Sequence, residues 1–164
     1  MKRVILVRHA KSVSYGYDQD FDRTLTDRGE DDAYKISQEL KKLNIKPDLF
    51  IASPAVRTTQ TARIFADALG YTQKAILFEK KLFSGKTPDN FLTMLKELQD
   101  EKETVIVFGH NPTIYYYLNY LLNDFTSDVP TCSTVGIDFD VNSWSELKRN
   151  QGKMAFRYIP DMFD

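Results

Sequence analysis

The chain contains only two histidines, and each lies at the end of a short apolar run. His9 follows Arg8 in the sequence LVRHAKS, residues 6–12, and His110 lies in TVIVFGHNP, residues 104–112. A short, bounded apolar run rich in β-branched residues is typical of a buried strand. Two predicted strands that each end in a histidine indicate one site built from both imidazoles.

Arg57 is a third candidate, because it lies near the predicted start of a helix in SPAVRTTQTA, residues 53–62. Ser53 and Pro54 predict that start, with Ser53 as the N-cap and Pro54 at the first helical position. The free N–H groups of a helix N-terminus favour an anion, and a planar guanidinium matches phosphate oxygens. The alternative is an exposed arginine that pairs with solvent or with a nearby acid.

Arg8 ends the first predicted strand, where arginine is seldom buried unless it is paired; the alternative is a side chain that extends to solvent. Two imidazoles and two guanidiniums suit a phosphoryl group, because the cations stabilise its oxygens while a neutral histidine attacks phosphorus.

A metal site formed by the histidines with Asp18, Asp20 and Asp22 is the competing hypothesis. The spacings HxxxH and HxE and paired cysteines are absent, which weakens it.

Strand and helix signals alternate along the chain. We predict strands over residues 3–8, 48–52, 75–79 and 104–108, and a final hairpin near residues 135–139 and 153–159. This order predicts one α/β domain over residues 1–164, with three α/β/α layers and a mostly parallel sheet that carries an antiparallel hairpin at its edge. Ligands of such sheets bind outside the carboxyl ends of the strands, where His9, Ser53 and His110 all fall.

Four helices are predicted between these strands. The first runs from about residue 26 or 27 to residue 43, and Asp27 with Glu30 fits an acidic capping box. The other three begin at cap-and-proline pairs, which are Ser53-Pro54, Thr87-Pro88 and Asn111-Pro112. Residues 10–25 and 80–87 show no periodic pattern and are predicted to be loops.

Composition restricts the class of protein. The 164 residues are 42% hydrophobic, which suffices for one core, and the net charge of −1 gives no field that favours nucleic acid or an anionic membrane. Cys132 is the only cysteine, so no internal disulfide can form. No secretory signal is recognisable and no apolar run approaches the roughly 20 residues of a membrane span. We therefore expect a cytoplasmic protein without nucleic-acid or membrane partners, and the sequence leaves its oligomeric state open.

Four segments, in this order, resemble the histidine phosphatase superfamily, in the branch related to phosphoglycerate mutase. They are RHAKS, LTDRG at residues 25–29, SPAVRTTQTA and GHNP. Their spacing is most similar to that of SixA-type phosphohistidine phosphatases. The resemblance covers about residues 3–120 and, more weakly, the final hairpin. It implies a phosphoglycerate mutase-like fold and an activity that needs neither a metal nor another cofactor.

The resemblance also implies roles for individual residues. His9 matches the phosphorylated nucleophile, Arg8 and Arg57 match the arginines that clamp the phosphate, and His110 matches the second histidine that stabilises the transition state. Supporting roles in substrate binding are expected for Arg23, which matches a position near the mouth of the pocket, and for Ser12.

Two departures from the family pattern concern the branch and the general acid. Ala10 stands where many members have glycine, and alanine there is familiar in the SixA-like branch. Glu79, in LFEKKLFSG, falls near the position of the acid in mutase-like members, but its flanking residues do not match. The alternatives are that Asp18, Asp20 or Asp22 donates the proton, or that Glu79 is a surface ion-pair residue.

These observations favour a phosphatase that hydrolyses a phosphorylated substrate, with protein phosphohistidine as the first choice, through phospho-His9. A phosphohistidine requires less acid catalysis because imidazole leaves more readily than an alkoxide. The segments 80–87 and 123–133 are too short for a large cap, so the pocket would admit a protein or a small ester. The alternatives are a general phosphomonoesterase for small molecules and a non-catalytic phosphate-binding module.

Overall fold

The computed structural model describes residues 1–164 and contains one six-stranded mixed sheet. Its strands are β1 (Lys2–Arg8), β2 (Leu49–Ala52), β3 (Leu77–Phe78), β4 (Thr104–Gly109), β5 (Thr134–Phe139) and β6 (Lys153–Tyr158). They lie in the order β3-β2-β4-β1-β5-β6. The first four strands in this order are parallel, whereas β5 runs antiparallel to both β1 and β6. The predicted α/β fold, with an antiparallel hairpin at one edge, is therefore confirmed.

Five α-helices cover the two faces of the sheet, namely α1 (Asp27–Lys42), α2 (Val56–Leu69), α3 (Lys81–Ser84), α4 (Pro88–Lys96) and α5 (Thr113–Leu121). The α1 and α2 helices pack on one face, and α4 and α5 pack on the other. Successive β1 side chains point to opposite faces, so Val4 and Leu6 enter one core while Ile5 and Val7 enter the other. No helix has the length and apolar character needed to cross a lipid bilayer.

The structure confirms the predicted starts of α1 and α4 and corrects those of α2 and α5. Thr87 caps α4 as expected, because its side-chain oxygen accepts from the Asn90 N–H at 3.2 Å. The predicted position of the α1 start is correct, but the predicted capping box is wrong. Thr26 is the N-cap and accepts from the Gly29 N–H at 3.0 Å.

The α2 and α5 helices begin later than their proline signals indicate. Ala55 is the N-cap of α2 and has no side-chain oxygen, so the prediction that Ser53 caps this helix is wrong. In α5 the N-cap is Pro112, and Asn111 acts from one residue further back. Its side-chain oxygen accepts from the Tyr115 N–H at 3.2 Å.

Two predicted loops contain short regular elements. A 3₁₀ turn at Asp20–Asp22 lies within residues 10–25, and α3 lies within residues 80–87. A further 3₁₀ turn at Gln73–Ala75 occupies the start of the third predicted strand, which limits β3 to two residues. One-turn elements carry too few apolar positions to produce a periodic signal, which explains why the sequence does not reveal them.

Candidate active site

Three residues of the candidate site come directly after neighbouring parallel strands. Arg8 of β1 is paired with Gly109 of β4, so His9 and His110 occupy equivalent positions at the carboxyl edge. The ladder continues past the strands, since the His9 N–H donates to the Gly109 carbonyl at 3.0 Å. Ser53 follows β2 and its N–H donates to the Phe108 carbonyl at 3.0 Å. Because β4 lies between β1 and β2, His110 stands between His9 and Ser53.

The contacts of His9 leave its Nε2 atom unprotonated, and its lone pair accepts a hydrogen bond from Arg57. The Nδ1 atom lies 2.7 Å from the Ala10 carbonyl, which can only accept, so Nδ1 carries the proton. Nε2 accepts a 3.3 Å hydrogen bond from Nε of Arg57. Burial lowers the pKa of His9 from 6.5 to about 4; the bond to Ala10 opposes this shift, and the charges of Arg57, Arg8 and Arg23 add to it. At neutral pH the imidazole is therefore uncharged, with its Nε2 lone pair directed into a group of cations.

His110 lies against His9, with 5.3 Å between the ring centroids and an interplanar angle of 58°. Its Nε2 atom is 2.8 Å from the Ser53 hydroxyl oxygen. The same oxygen accepts a hydrogen bond from the Ala55 N–H at 3.3 Å. The hydroxyl can therefore donate its proton to Nε2, and the ring proton then resides on Nδ1. That Nδ1 atom is buried and has no hydrogen-bond partner. Burial, followed by the charges of His9 and Arg57, lowers the pKa of His110 to about 3.

Arg8 reaches the site from the end of β1 and is only partly satisfied. One terminal nitrogen, Nη1, donates to the Val129 carbonyl at 2.9 Å. Its Nε atom is buried without a partner. Burial, followed by the charge of Arg57, lowers the pKa of this guanidinium. An uncompensated cation at the strand end provides a donor for an anionic ligand.

Arg57, in the first turn of α2, is 5% exposed, and each of its three nitrogen atoms makes a contact. Nε donates to His9, and Nη1 donates to the backbone carbonyl of Asp20 at 2.7 Å. Nη2 donates to the Asp20 carboxylate at 2.9 Å. Burial of that carboxyl opposes its ionisation, but hydrogen bonds from Arg57 and Arg23 outweigh this and lower the pKa of Asp20.

Arg23 and Ser12 lie together beside Asp20. Nη1 of Arg23 donates to the Ser12 hydroxyl at 3.2 Å and to the Val13 carbonyl at 2.9 Å. Its Nε atom donates to the Asp20 carboxylate at 2.9 Å. Ser12 therefore holds Arg23, and both residues stand next to the acid that contacts Arg57.

The structure does not place the carboxylates of Glu79, Asp18 and Asp22 in contact with the histidines. The Glu79 N–H continues the ladder by donating to the Ala52 carbonyl at 2.9 Å, so the residue does lie at the carboxyl edge. Its carboxylate accepts from the Lys81 N–H at 3.1 Å, at the start of α3. Asp18 and Asp22 are exposed and their side chains make no hydrogen bonds. No three His, Cys, Asp or Glu side chains form a group suited to a metal ion.

Three contacts of this site were not predicted from the sequence, and one of them is the pairing of Asp20 with Arg57. Ser53 was assigned to a helix cap, although its place directly after β2 at the carboxyl edge is a signal that it could reach His110. The ring of Phe83 lies 5.6 Å from the ring of His110, edge to face, and no sequence pattern indicated this. The site is thus two neutral imidazoles among three guanidiniums, an arrangement suited to binding and transferring a phosphoryl group.

The family model of the histidine phosphatase superfamily, branch 1, matches residues 4–82. An uncharacterized chloroplastic protein of Arabidopsis thaliana is 28% identical over 156 residues, which cover 88% of this chain and 70% of that protein. The mitochondrial serine/threonine-protein phosphatase Pgam5 of Drosophila virilis is 40% identical over 70 residues. This match covers 43% of the chain and 24% of the fly protein.

A similar solved structure comes from Agrobacterium tumefaciens, and it is assigned as a phosphohistidine phosphatase SixA. It superposes on 97% of this chain and 98% of its own length, with a TM-score of 0.81 and 25% sequence identity. The likeness therefore extends through the C-terminal half, which the family model does not reach.

Proposed function

We propose that this protein, a member of the histidine phosphatase superfamily of the SixA type, hydrolyses protein phosphohistidine through a covalent intermediate on His9. One observation carries the proposal. The Nε2 atom of His9 is unprotonated, is fixed by the bond from Nδ1 to Ala10, and lies beside the Arg57 guanidinium.

The reaction would proceed in two displacements at phosphorus. In the first, the hydrogen bond from Arg57 to Nε2 of His9 breaks, and the Nε2 lone pair forms an N–P bond while the bond from phosphorus to the leaving group breaks. The leaving group takes up a proton from water. In the second, water forms a P–O bond and releases a proton, and the N–P electron pair returns to Nε2. Covalent catalysis of this kind replaces one difficult step with two easier ones.

The neighbouring side chains would stabilise the charge of the phosphoryl oxygens. Arg57 and Arg8 supply guanidinium donors, and His110 supplies the buried Nδ1 atom that has no protein partner. Arg8 and His110 are held in place before the reaction by their contacts with Val129 and Ser53. Preorganised donors in a buried site stabilise a transition state without a cost of reorganisation. The proposed reaction uses these side chains and no metal.

Phosphohistidine is the proposed substrate because the site offers little acid catalysis. The carboxylate of Asp20 contacts Arg57, which in turn contacts the nucleophile, and its lowered pKa keeps it ionised at neutral pH, so it cannot donate a proton. Glu79 contacts the α3 backbone rather than the histidines. An imidazole departs from phosphorus more readily than an alkoxide, so a phosphohistidine needs less help than an ester.

A serine or threonine phosphate is the second candidate, supported by the 40% identity to Pgam5 over 70 residues. A panel of one phosphohistidine peptide, one phosphoserine peptide and one small sugar phosphate separates the candidates. We expect kcat/KM to be highest for phosphohistidine. A higher value for phosphoserine or for the sugar phosphate would replace the substrate proposed here.

The covalent step is tested by mass spectrometry of protein quenched without acid, because the N–P bond is labile to acid. We expect phosphate on His9 in the wild-type protein, and no intermediate and no turnover in His9→Asn. Turnover that persists in His9→Asn would refute the mechanism. Binding of phosphate without hydrolysis of any substrate would instead indicate a non-catalytic module.

The proposal extends to the compartment and to the partner. Cys132 is unpaired and buried, which supports a reducing compartment such as the cytoplasm. The partner would be a phosphorylated protein whose phosphohistidine reaches the carboxyl edge of the sheet.

A further inference from the structure

The arginine that would bind the phosphoryl group already binds an anion of the protein itself. Nη1 and Nη2 of Arg57 donate to the carbonyl and the carboxylate of Asp20, at 2.7 and 2.9 Å. Its Nε donates to His9. Because each nitrogen of Arg57 already donates to a protein partner, a two-pronged contact with a phosphate requires at least one of these partners to move.

The same carboxylate also binds a second guanidinium. Its Oδ1 atom accepts from Nε of Arg23 at 2.9 Å and lies 2.8 Å from Nη2 of Arg23. Arg23 is in turn held by the Val13 carbonyl and the Ser12 hydroxyl. Asp20 thus bridges Arg57 and Arg23 with two oxygens, as a phosphate could with its own oxygens.

Asp20 belongs to a segment that is closed at its base, and we call residues 14–23 the cover. At the base, the Val13 N–H donates to the Thr24 carbonyl at 2.8 Å. At the far end, the Phe21 ring meets the Phe83 ring edge to face at 5.1 Å, and Phe83 in turn packs against His110. The cover therefore reaches across the site from Arg57 to the side chain that lies over His110.

We propose that Asp20 is an internal anion that occupies the phosphoryl position on Arg57, and that a substrate must displace it in order to bind. The inference rests on the proposed function and adds a residue that sets which substrates bind. A phosphoryl dianion can displace the carboxylate because it carries more charge and more oxygens. Monoanionic ligands, such as carboxylates and sulfate monoesters, carry no more charge than Asp20, which the chain holds next to Arg57, and are therefore excluded.

Displacement must involve the backbone as well as the side chain. A change of the Asp20 rotamer would release Nη2 of Arg57 but leave Nη1 bound to the backbone carbonyl. The 3₁₀ turn at Asp20–Asp22 must therefore move, and the contact between Phe21 and Phe83 must loosen. The Asp20 side chain is 57% exposed against 6% for that of Arg57, so water can solvate the released carboxylate while the substrate pairs with Arg57.

The test is calorimetric titration of the whole protein with inorganic phosphate, which requires no turnover. We expect Asp20→Asn to bind phosphate about 1.5- to 5-fold more tightly than the wild-type protein, the range for an ion pair with one exposed partner. Asp22→Asn is the matched control, because it removes the same charge from the same turn and its carboxylate has no partner. Phe21→Ala should also tighten binding, because it loosens the cover without changing a charge.

Unchanged or weaker phosphate binding in Asp20→Asn would overturn the inference. So would an equal gain in Asp22→Asn, since that would reflect net charge alone. Asp20 and Asp22 are exposed and are not part of the core, so Asp20→Asn and Asp22→Asn should fold, which circular dichroism would verify. If no variant hydrolyses any substrate while Asp20→Asn still binds phosphate more tightly, the phosphatase proposal fails and the inference about Asp20 stands.

Discussion

The buried His9 and the half-buried His110 should make the folded state strongly sensitive to mild acid. In the unfolded protein each histidine side chain takes up a proton near pH 6.5. In the folded protein the pKa of His9 is about 4 and that of His110 is about 3. Above about pH 7.5 both rings are neutral in both states, so they do not affect stability. As pH falls through 6.5, only the unfolded state gains protons, and the free energy of unfolding decreases. The loss levels off once the native rings also become protonated.

The magnitude follows from the depth of the two shifts. At pH 5 an unfolded histidine is about 1.5 pH units below its pKa, and at about 1.36 kcal/mol per unit this stabilises the unfolded state by about 2 kcal/mol. The native rings remain almost entirely unprotonated at that pH. Both histidines together should therefore cost about 4 kcal/mol between pH 8 and pH 5, a large part of the stability of an ordinary domain.

The chain has no other histidine, so the effect of one histidine on stability can be measured by substituting the other. Urea unfolding of the wild-type protein and of His110→Gln, at pH 8, 6 and 5 in a buffer without phosphate or sulfate, isolates one ring. Contributions from carboxylates cancel in the comparison. We expect the pH dependence of His110→Gln to be about 2 kcal/mol smaller than that of the wild-type protein. In NMR spectra, neither imidazole should titrate above pH 5.

Either of two results would refute this reasoning. One is an equal loss of stability in the wild-type protein and in His110→Gln between pH 8 and pH 5. The other is a histidine resonance that titrates near pH 6.5 in the folded protein. Each would mean that the site does not hold its imidazoles in the neutral form.

Three further substitutions test single contacts. Ser53→Ala leaves a ring nitrogen of His110 unpaired, and we expect kcat to fall about tenfold, with KM and the circular dichroism spectrum unchanged; an unaltered kcat would contradict a positioning role. A Cβ atom at Gly29 would lie 2.1 Å from the Lys11 carbonyl oxygen. Gly29→Ala should therefore lower the free energy of unfolding in urea by about 1–3 kcal/mol, unless the backbone can shift without cost. If Glu79 protonates the leaving group, Glu79→Gln will lower kcat about 100-fold for alkyl phosphates and little for aryl phosphates. An equally small decrease in kcat for both esters in Glu79→Gln would assign Glu79 to the α3 backbone contact alone.

Much of the fold could be predicted because it depends on local pattern. The central strands are covered on both faces, so each appears in the sequence as a short, continuous apolar run. Parallel strands bring their carboxyl ends to one edge, so placing His9 and His110 after two such runs was enough to predict that they meet. The errors have local causes as well. Ser53 in front of a proline resembles a helix cap, and only the start of α2 at Val56 shows that it has another partner.

The sequence by itself determined which reactive side chains stand at the edge of the sheet, because strand ends follow from apolar patterning within a few residues. Only the tertiary structure decided what those side chains touch. Asp20 meets Arg57 across 37 residues, and Ser53 meets His110 across 57. These contacts depend on how a loop without periodicity folds back over the sheet and on where a helix begins relative to its strand. The proton on Nδ1 of His9 and the occupied nitrogens of Arg57 were decided at that level, because hydrogen bonds require atomic distances that no residue pattern specifies.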